Sequence, residues 1–176
     1  STPAPAAGSA VPPAFSLPAY LANTAALLRM PRVRWVLTVV AVEGAAMGGG
    51  FGLVCCADQV LAHTSAQFAT PEVTLGIVPA QIAPFVLRRL GPAAARRCLL
   101  TGERWDAATA QRAGLVDEVV AGDMEAAVQA AIARHAAAAP QAVAATKRLL
   151  LAQPETPLPA LLDAAAMAFA QELRGP

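Results

Sequence analysis

Charge is scarce and evenly split. Thirteen Lys and Arg against twelve Asp and Glu leave a formal net charge of +1, with only 14% of residues charged. Such a balance offers no argument for a nucleic-acid partner. Cysteine is also rare. Cys55 and Cys56 are adjacent and Cys98 stands alone, which is neither a disulfide framework nor a metal-ligand spacing. A reducing, cytoplasmic setting is the expectation. The two histidines, His63 and His135, lack a Cys or acidic partner at ligand spacing and read as surface or structural residues. No metal is therefore expected. The most hydrophobic β-branched run, Val36–Val42, is far too short to span a membrane. No basic-then-apolar leader opens the sequence, so no membrane partner is expected. No Gly-Lys-Ser/Thr follows the glycines, which removes a P-loop. Gly50-Phe51-Gly52 has Cys55 where a dinucleotide fingerprint calls for Gly or Ala. No internal repeat is visible.

Apolar residues are plentiful at 56%, and 176 residues suffice for one domain with a real core. Alanine supplies much of that share and favours helices. The sequence is organised around Val36–Asp58. Val36, Leu37, Val39, Val40 and Val42 read as a strand buried on both faces. Glu43 and Gly44 break it. Gly48, Gly49 and Gly50 follow, then an apolar segment from Phe51 to Ala57 that predicts a helix. The first N–H groups of a helix lack internal partners, and its dipole favours negative charge there. Glycine lets a ligand approach because no Cβ intervenes. A backbone site for an anion or oxyanion and a simple tight turn are both compatible with this pattern.

Ser1–Pro18 is rich in Pro, Ala, Gly and Ser and reads as a linker. Leu17–Met30 predicts a short helix ended by Pro31. Strands are expected at Gln59–Ala62, Ala66–Ala69 and Leu115–Val120. Thr70–Gly76 reads as a loop in which Pro71 and Gly76 bracket a carboxylate, Glu72. Its neighbours Val73, Leu75, Ile77 and Val78 are set to desolvate it, a useful environment for proton transfer. Helices are expected over Ala80–Leu90 and Ala93–Leu100. Others are capped by Asp106, by Asp123, by Pro140 as a first residue, and by Thr156 with Pro157. Arg88, Arg89, Arg96 and Arg97 read as a solvated helix face. The implied organisation is an arm with a short helix over 1–32, an α/β core over 33–122 and a helical region over 123–176.

Several of these runs resemble the crotonase family, the enoyl-CoA hydratase/isomerase superfamily. They are Gly44-Ala45-Ala46-Met47-Gly48-Gly49-Gly50-Phe51-Gly52-Leu53, Ala57-Asp58, Ala66 to Gly76, Leu99-Leu100-Thr101-Gly102-Glu103, Ala110 to Val116 and Ala145-Thr146-Lys147. Val78 to Phe85 is similar, more narrowly, to isohexenylglutaconyl-CoA hydratases of acyclic terpene breakdown. The resemblance implies an α/β fold, a crotonase-like (ββα) superhelix with a C-terminal helical trimerisation region. It also implies an acyl-CoA substrate, with coenzyme A as part of that substrate and no separate cofactor. A homotrimer or homohexamer is the implied assembly. By motif position Gly49 is one of two backbone donors to the thioester oxygen, with Ala46, Gly48, Gly50 and Pro79 binding substrate. Of the family's two hydratase glutamates, the second falls on Glu72 and the first on Gly52. Ser1–Arg32 holds no counterpart of the family's early strands, and no basic tail follows the last helix, so the N-terminal part of the fold is expected to be missing. Three readings follow: a hydratase for a branched or isoprenoid enoyl-CoA, a double-bond isomerase using Glu72 alone, and a noncatalytic truncated subunit.

Overall fold

The computed structural model describes residues 37–152 and, beyond them, 157, 159–160, 162–164 and 166–167. The expected arm and the helix Leu17–Met30 lie outside the described residues, as do Thr156 and most of the final apolar stripe. Two three-stranded sheets form among the described residues. In the first, β1 (Val39–Val42) and β6 (Glu118–Val120) flank β3 (Gln59–His63), all parallel. Val60, Leu61 and Ala62 of the central strand have no exposed surface, as befits a strand covered on both faces. The sequence predicts that role for β1 instead. The structure places β1 at the edge of this sheet, beginning only at Val39, with Ala41 exposed. Apolar content registers burial in general and does not say which strand takes the middle.

Glu43 and Gly44 do break β1, but a strand re-forms at once. β2 (Ala45–Met47) joins the second sheet, parallel to β4 (Gln67–Ala69), which is antiparallel to β5 (Trp105–Asp106). The sequence predicts neither β2 nor β5, because two or three residues are too few to display a period of two. Side chains from both sheets share one core. Its largest members are Phe51, Phe68 and Trp105, packed edge to face with centroids 6.5 Å and 6.1 Å apart.

The glycine triplet leads into α1 (Gly49–Val54), two residues earlier than expected. The two helices expected before Gly102 run together as α2 (Ala83–Thr101), kinked where Gly91 takes φ 70, ψ 173. The start slips to Ala83 because Pro79–Ile82 makes its own turn, with the Ile82 N–H donating to the Pro79 carbonyl at 3.2 Å. Both predicted Asp caps hold. Asp106 accepts from the Thr109 N–H at 2.7 Å ahead of α3 (Ala107–Arg112), and Asp123 from the Ala126 N–H at 3.1 Å ahead of α4 (Met124–Ala136). α4 packs Met124 and Ala131 against Leu61 and Val120. α5 (Pro140–Ala152) is tied to the start of β3 by Lys147, whose Nζ lies 2.5 Å from Asp58 Oδ2. The strand expected from Leu115 is confined to β6, and Leu115 and Val116 are buried in the core instead.

Arg89 does not lie on a solvated face. Its guanidinium donates to the carbonyls of Ala57 at 3.2 Å, Gly114 at 3.1 Å and Leu115 at 3.0 Å, and to Asp117 Oδ2 at 2.8 Å. Its side chain is only 15% exposed. Helical spacing identified the face but not the loops that arrive on it from elsewhere in the chain. His63 and His135 have the structural roles expected, facing Ser65 and Gln59 respectively.

Candidate active site

β2 ends at Met47, and Gly48 turns the chain at φ 54, ψ −117, a conformation that a Cβ disfavours. The Gly48 N–H donates to the Ala69 carbonyl at 2.9 Å, which anchors the turn to the end of β4. Helix α1 then opens with Gly49 and Gly50, both half-buried. The N–H groups of a first turn have no carbonyl one turn back within the helix and point out of its positive end.

The carboxylate comes from the neighbouring strand. β4 stops at Ala69, and Thr70 begins a 3₁₀ turn, Pro71–Leu75, where a plain loop is expected from sequence. Thr70 is buried, and its hydroxyl donates to the Cys98 carbonyl of α2 at 2.8 Å. Gly102, at φ 65, ends α2 directly beneath this turn; a Cβ there would stand 2.8 Å from Thr74 Cγ2. Gly76, at φ 71, closes the turn, and the Ile77 N–H donates to the Glu72 carbonyl at 2.8 Å. The turn that carries Glu72 is thus held at both ends.

From there the Glu72 side chain reaches the glycine turn. A Cβ on Gly48 would lie 3.0 Å from Glu72 Oε1. The other oxygen, Oε2, is shut off from solvent and meets no donor. An acceptor buried without a donor costs about 1–3 kcal/mol, so a native protein that keeps one calls for a reason. Of the four apolar neighbours expected to shield it, Val73 is half-buried, but Leu75, Ile77 and Val78 are 69%, 46% and 77% exposed. The carboxylate is covered by the fold behind it, and these three side chains turn outward.

Among the sequence-predicted residues, the structure brings Glu72 against Gly48, whereas a Cβ on Gly50 would meet nothing within 4 Å. Ala46 has its side chain in the core, paired across from Phe68. Pro79 accepts from the Ile82 and Ala83 N–H groups at 3.2 and 3.0 Å and so shapes the approach to α2. Gly52, the position matched to the family's first glutamate, is buried, and a Cβ there would come within 2.5 Å of Ile82 Cγ2. Sequence reasoning counted Ile82 only as one apolar residue of a helix stripe. No local signal marks it as the occupant of that space.

The sequence profile described as "Enoyl-CoA hydratase/isomerase" matches residues 19–174. The chain belongs to this family. AtuE of Pseudomonas aeruginosa, a solved structure, is 44% identical with a TM-score of 0.82, covering 92% of this chain and 64% of that one. An Escherichia coli 2,3-dehydroadipyl-CoA hydratase is 39% identical over 127 residues, 69% of this chain and 49% of that protein. A Thermobifida fusca family member solved with acetoacetyl-CoA is 30% identical with a TM-score of 0.78, covering 89% of this chain and 61% of that one. The crotonase-like α/β fold is therefore shared with the solved family members. The chain spans about half the length, 46% and 49%, of curated relatives such as a Proteus mirabilis carnitinyl-CoA dehydratase and the E. coli hydratase.

Proposed function

We propose that this chain carries the catalytic face of an enoyl-CoA hydratase with Glu72 as the acid/base and the Gly49 N–H as a donor to the thioester oxygen. The observation that carries this reading is the Glu72 carboxylate, one oxygen buried without a donor and the other against the Gly48 turn that opens α1. Relatives named as probable enoyl-CoA hydratases, and a family member solved with acetoacetyl-CoA, support it.

The proton inventory closes with a single carboxylate. Glu72 takes a proton from water as the water oxygen bonds to the β-carbon. The C=C electron pair moves onto the thioester oxygen as an enolate. A backbone donor fixed before that charge develops lowers the barrier by roughly 3 kcal/mol. Glu72 then returns its proton to the α-carbon, so one water is added across the double bond and the carboxylate is regenerated. In the branched or isoprenoid substrates suggested by Val78–Phe85, a second polar group of the acyl chain assists at the β-carbon. The assembly we propose is a homotrimer or homohexamer.

Ile82 filling the space at Gly52 favours a second reading, a double-bond isomerase. There Glu72 moves one proton between carbons through the same enolate and no water is added. Following the conjugated thioester absorbance with two substrates distinguishes the two: hydration of a conjugated 2-enoyl-CoA removes that absorbance, whereas isomerisation of a non-conjugated 3-enoyl-CoA creates it. Glu72→Gln abolishes either turnover, and full activity in that variant rules out Glu72 as the base. A wild-type protein that shows no saturable coenzyme A thioester binding is a noncatalytic subunit.

A further inference from the structure

We infer that Ile82 sets which acyl groups the site accepts, by forming a fixed apolar wall beside the Glu72 carboxylate. This rests on the proposed reading of Glu72. Gly48 and Gly52 are four residues apart and joined by the Gly52 N–H to Gly48 carbonyl bond at 3.1 Å. Neither has a side chain, so two openings lie about one helical turn apart along α1. Glu72 Oε1 enters the first, 3.0 Å from where a Gly48 Cβ would stand. Ile82 enters the second, with Cγ2 2.5 Å and Cβ 3.0 Å from where a Gly52 Cβ would stand. The base and the isoleucine therefore occupy the spaces beside two glycines of the same helix, one turn apart.

The wall is stiff. Ile82 is 4% exposed, and its carbonyl accepts from the Phe85 and Val86 N–H groups at 3.0 Å each as α2 begins. Its β-branched side chain has few rotamers to choose from. An acyl carbon that exchanges a proton with Glu72 is bordered on this side by methyl groups that cannot swing away. An alkyl substituent fits there, and its permitted size is set by Ile82. A charged substituent on that side would lose water and gain no partner.

The test has two arms. In the first, kcat/KM is measured with crotonyl-CoA and with 3-methylcrotonyl-CoA for the wild type, Ile82→Ala and Ile82→Phe. We expect the branched-to-linear ratio to rise at least fivefold in Ile82→Ala and to fall at least fivefold in Ile82→Phe. Ratios within twofold of wild type in both folded variants overturn the inference. If the wild type turns over neither thioester, the proposed activity fails, and the same ratio is read as binding of isovaleryl-CoA against butyryl-CoA. The second arm needs no ligand. Gly52→Ala should lower the melting temperature, and Gly52→Ala/Ile82→Ala should melt no lower than Ile82→Ala alone. Penalties that simply add would mean that the two residues do not share one space.

Discussion

Gly48→Ala separates the geometry of the site from its chemistry, because it adds one methyl group and removes nothing. Two costs follow. The backbone at φ 54, ψ −117 is a conformation that side chains avoid, and holding a non-glycine residue there costs about 1–3 kcal/mol. The new Cβ would also stand 3.0 Å from Glu72 Oε1, closer than ordinary van der Waals contact. The chain is pinned on both sides of this contact, by the Gly48 N–H to Ala69 bond and by the Thr70 hydroxyl to Cys98 bond. The carboxylate is the more mobile partner, so it shifts. A misplacement of about 1 Å in a reacting group costs on the order of a hundredfold in rate; a shift of a few tenths of an ångström should cost about tenfold. Denaturant unfolding should therefore register a loss of about 1–3 kcal/mol. The enoyl-CoA absorbance assay on the folded variant should register at least a tenfold fall in kcat. A variant with native stability and native kcat would refute the placement of both the turn and the acid.

Arg89→Ala should destabilise the fold by about 2 kcal/mol, mainly because it strips three carbonyls of one shared donor, the 44%-exposed Asp117 adding little. Arg89→Lys should recover less than half of that in denaturant unfolding, since an ammonium keeps the charge but not the fork. Equal stability of Arg89→Lys and wild type would show that charge alone matters. The thiols predict an alkaline limit. Burial pushes Cys98 from its ordinary 9.0 up to about 11, and burial raises Cys55 further still. The folded state therefore keeps these thiols protonated while the unfolded chain ionises them. That contribution to stability is intact below pH 9.0 and is lost as pH rises toward about 11. Unfolding midpoints across that window check the slope, and rapid modification of both thiols in the native protein at pH 8 would contradict it.

Much of the site was legible because its parts are local. Gly48–Gly50 between an apolar run and a helix announces a turn at a helix start. Pro71 and Gly76 mark the segment that carries Glu72 as a break between elements, and Asp106 and Asp123 announce the helices they cap. What escaped was set by partners distant in sequence. β2 and β5 exist because Phe68 lies opposite Ala46 on one side and Trp105 on the other. Arg89 is a half-buried latch because the loops after α1 and α3 arrive at its guanidinium.

The sequence by itself determined the family, the glycine turn and the two aspartate-capped helix starts, since backbone preference and capping act over a few residues. Only the tertiary structure decided that β3 rather than β1 is central, that Leu75, Ile77 and Val78 face outward while Glu72 Oε2 is buried, and that Ile82 fills the space over Gly52. The physical reason is that burial and exclusion belong to pairs of residues brought together by folding, and no stretch of chain carries its distant neighbour within it.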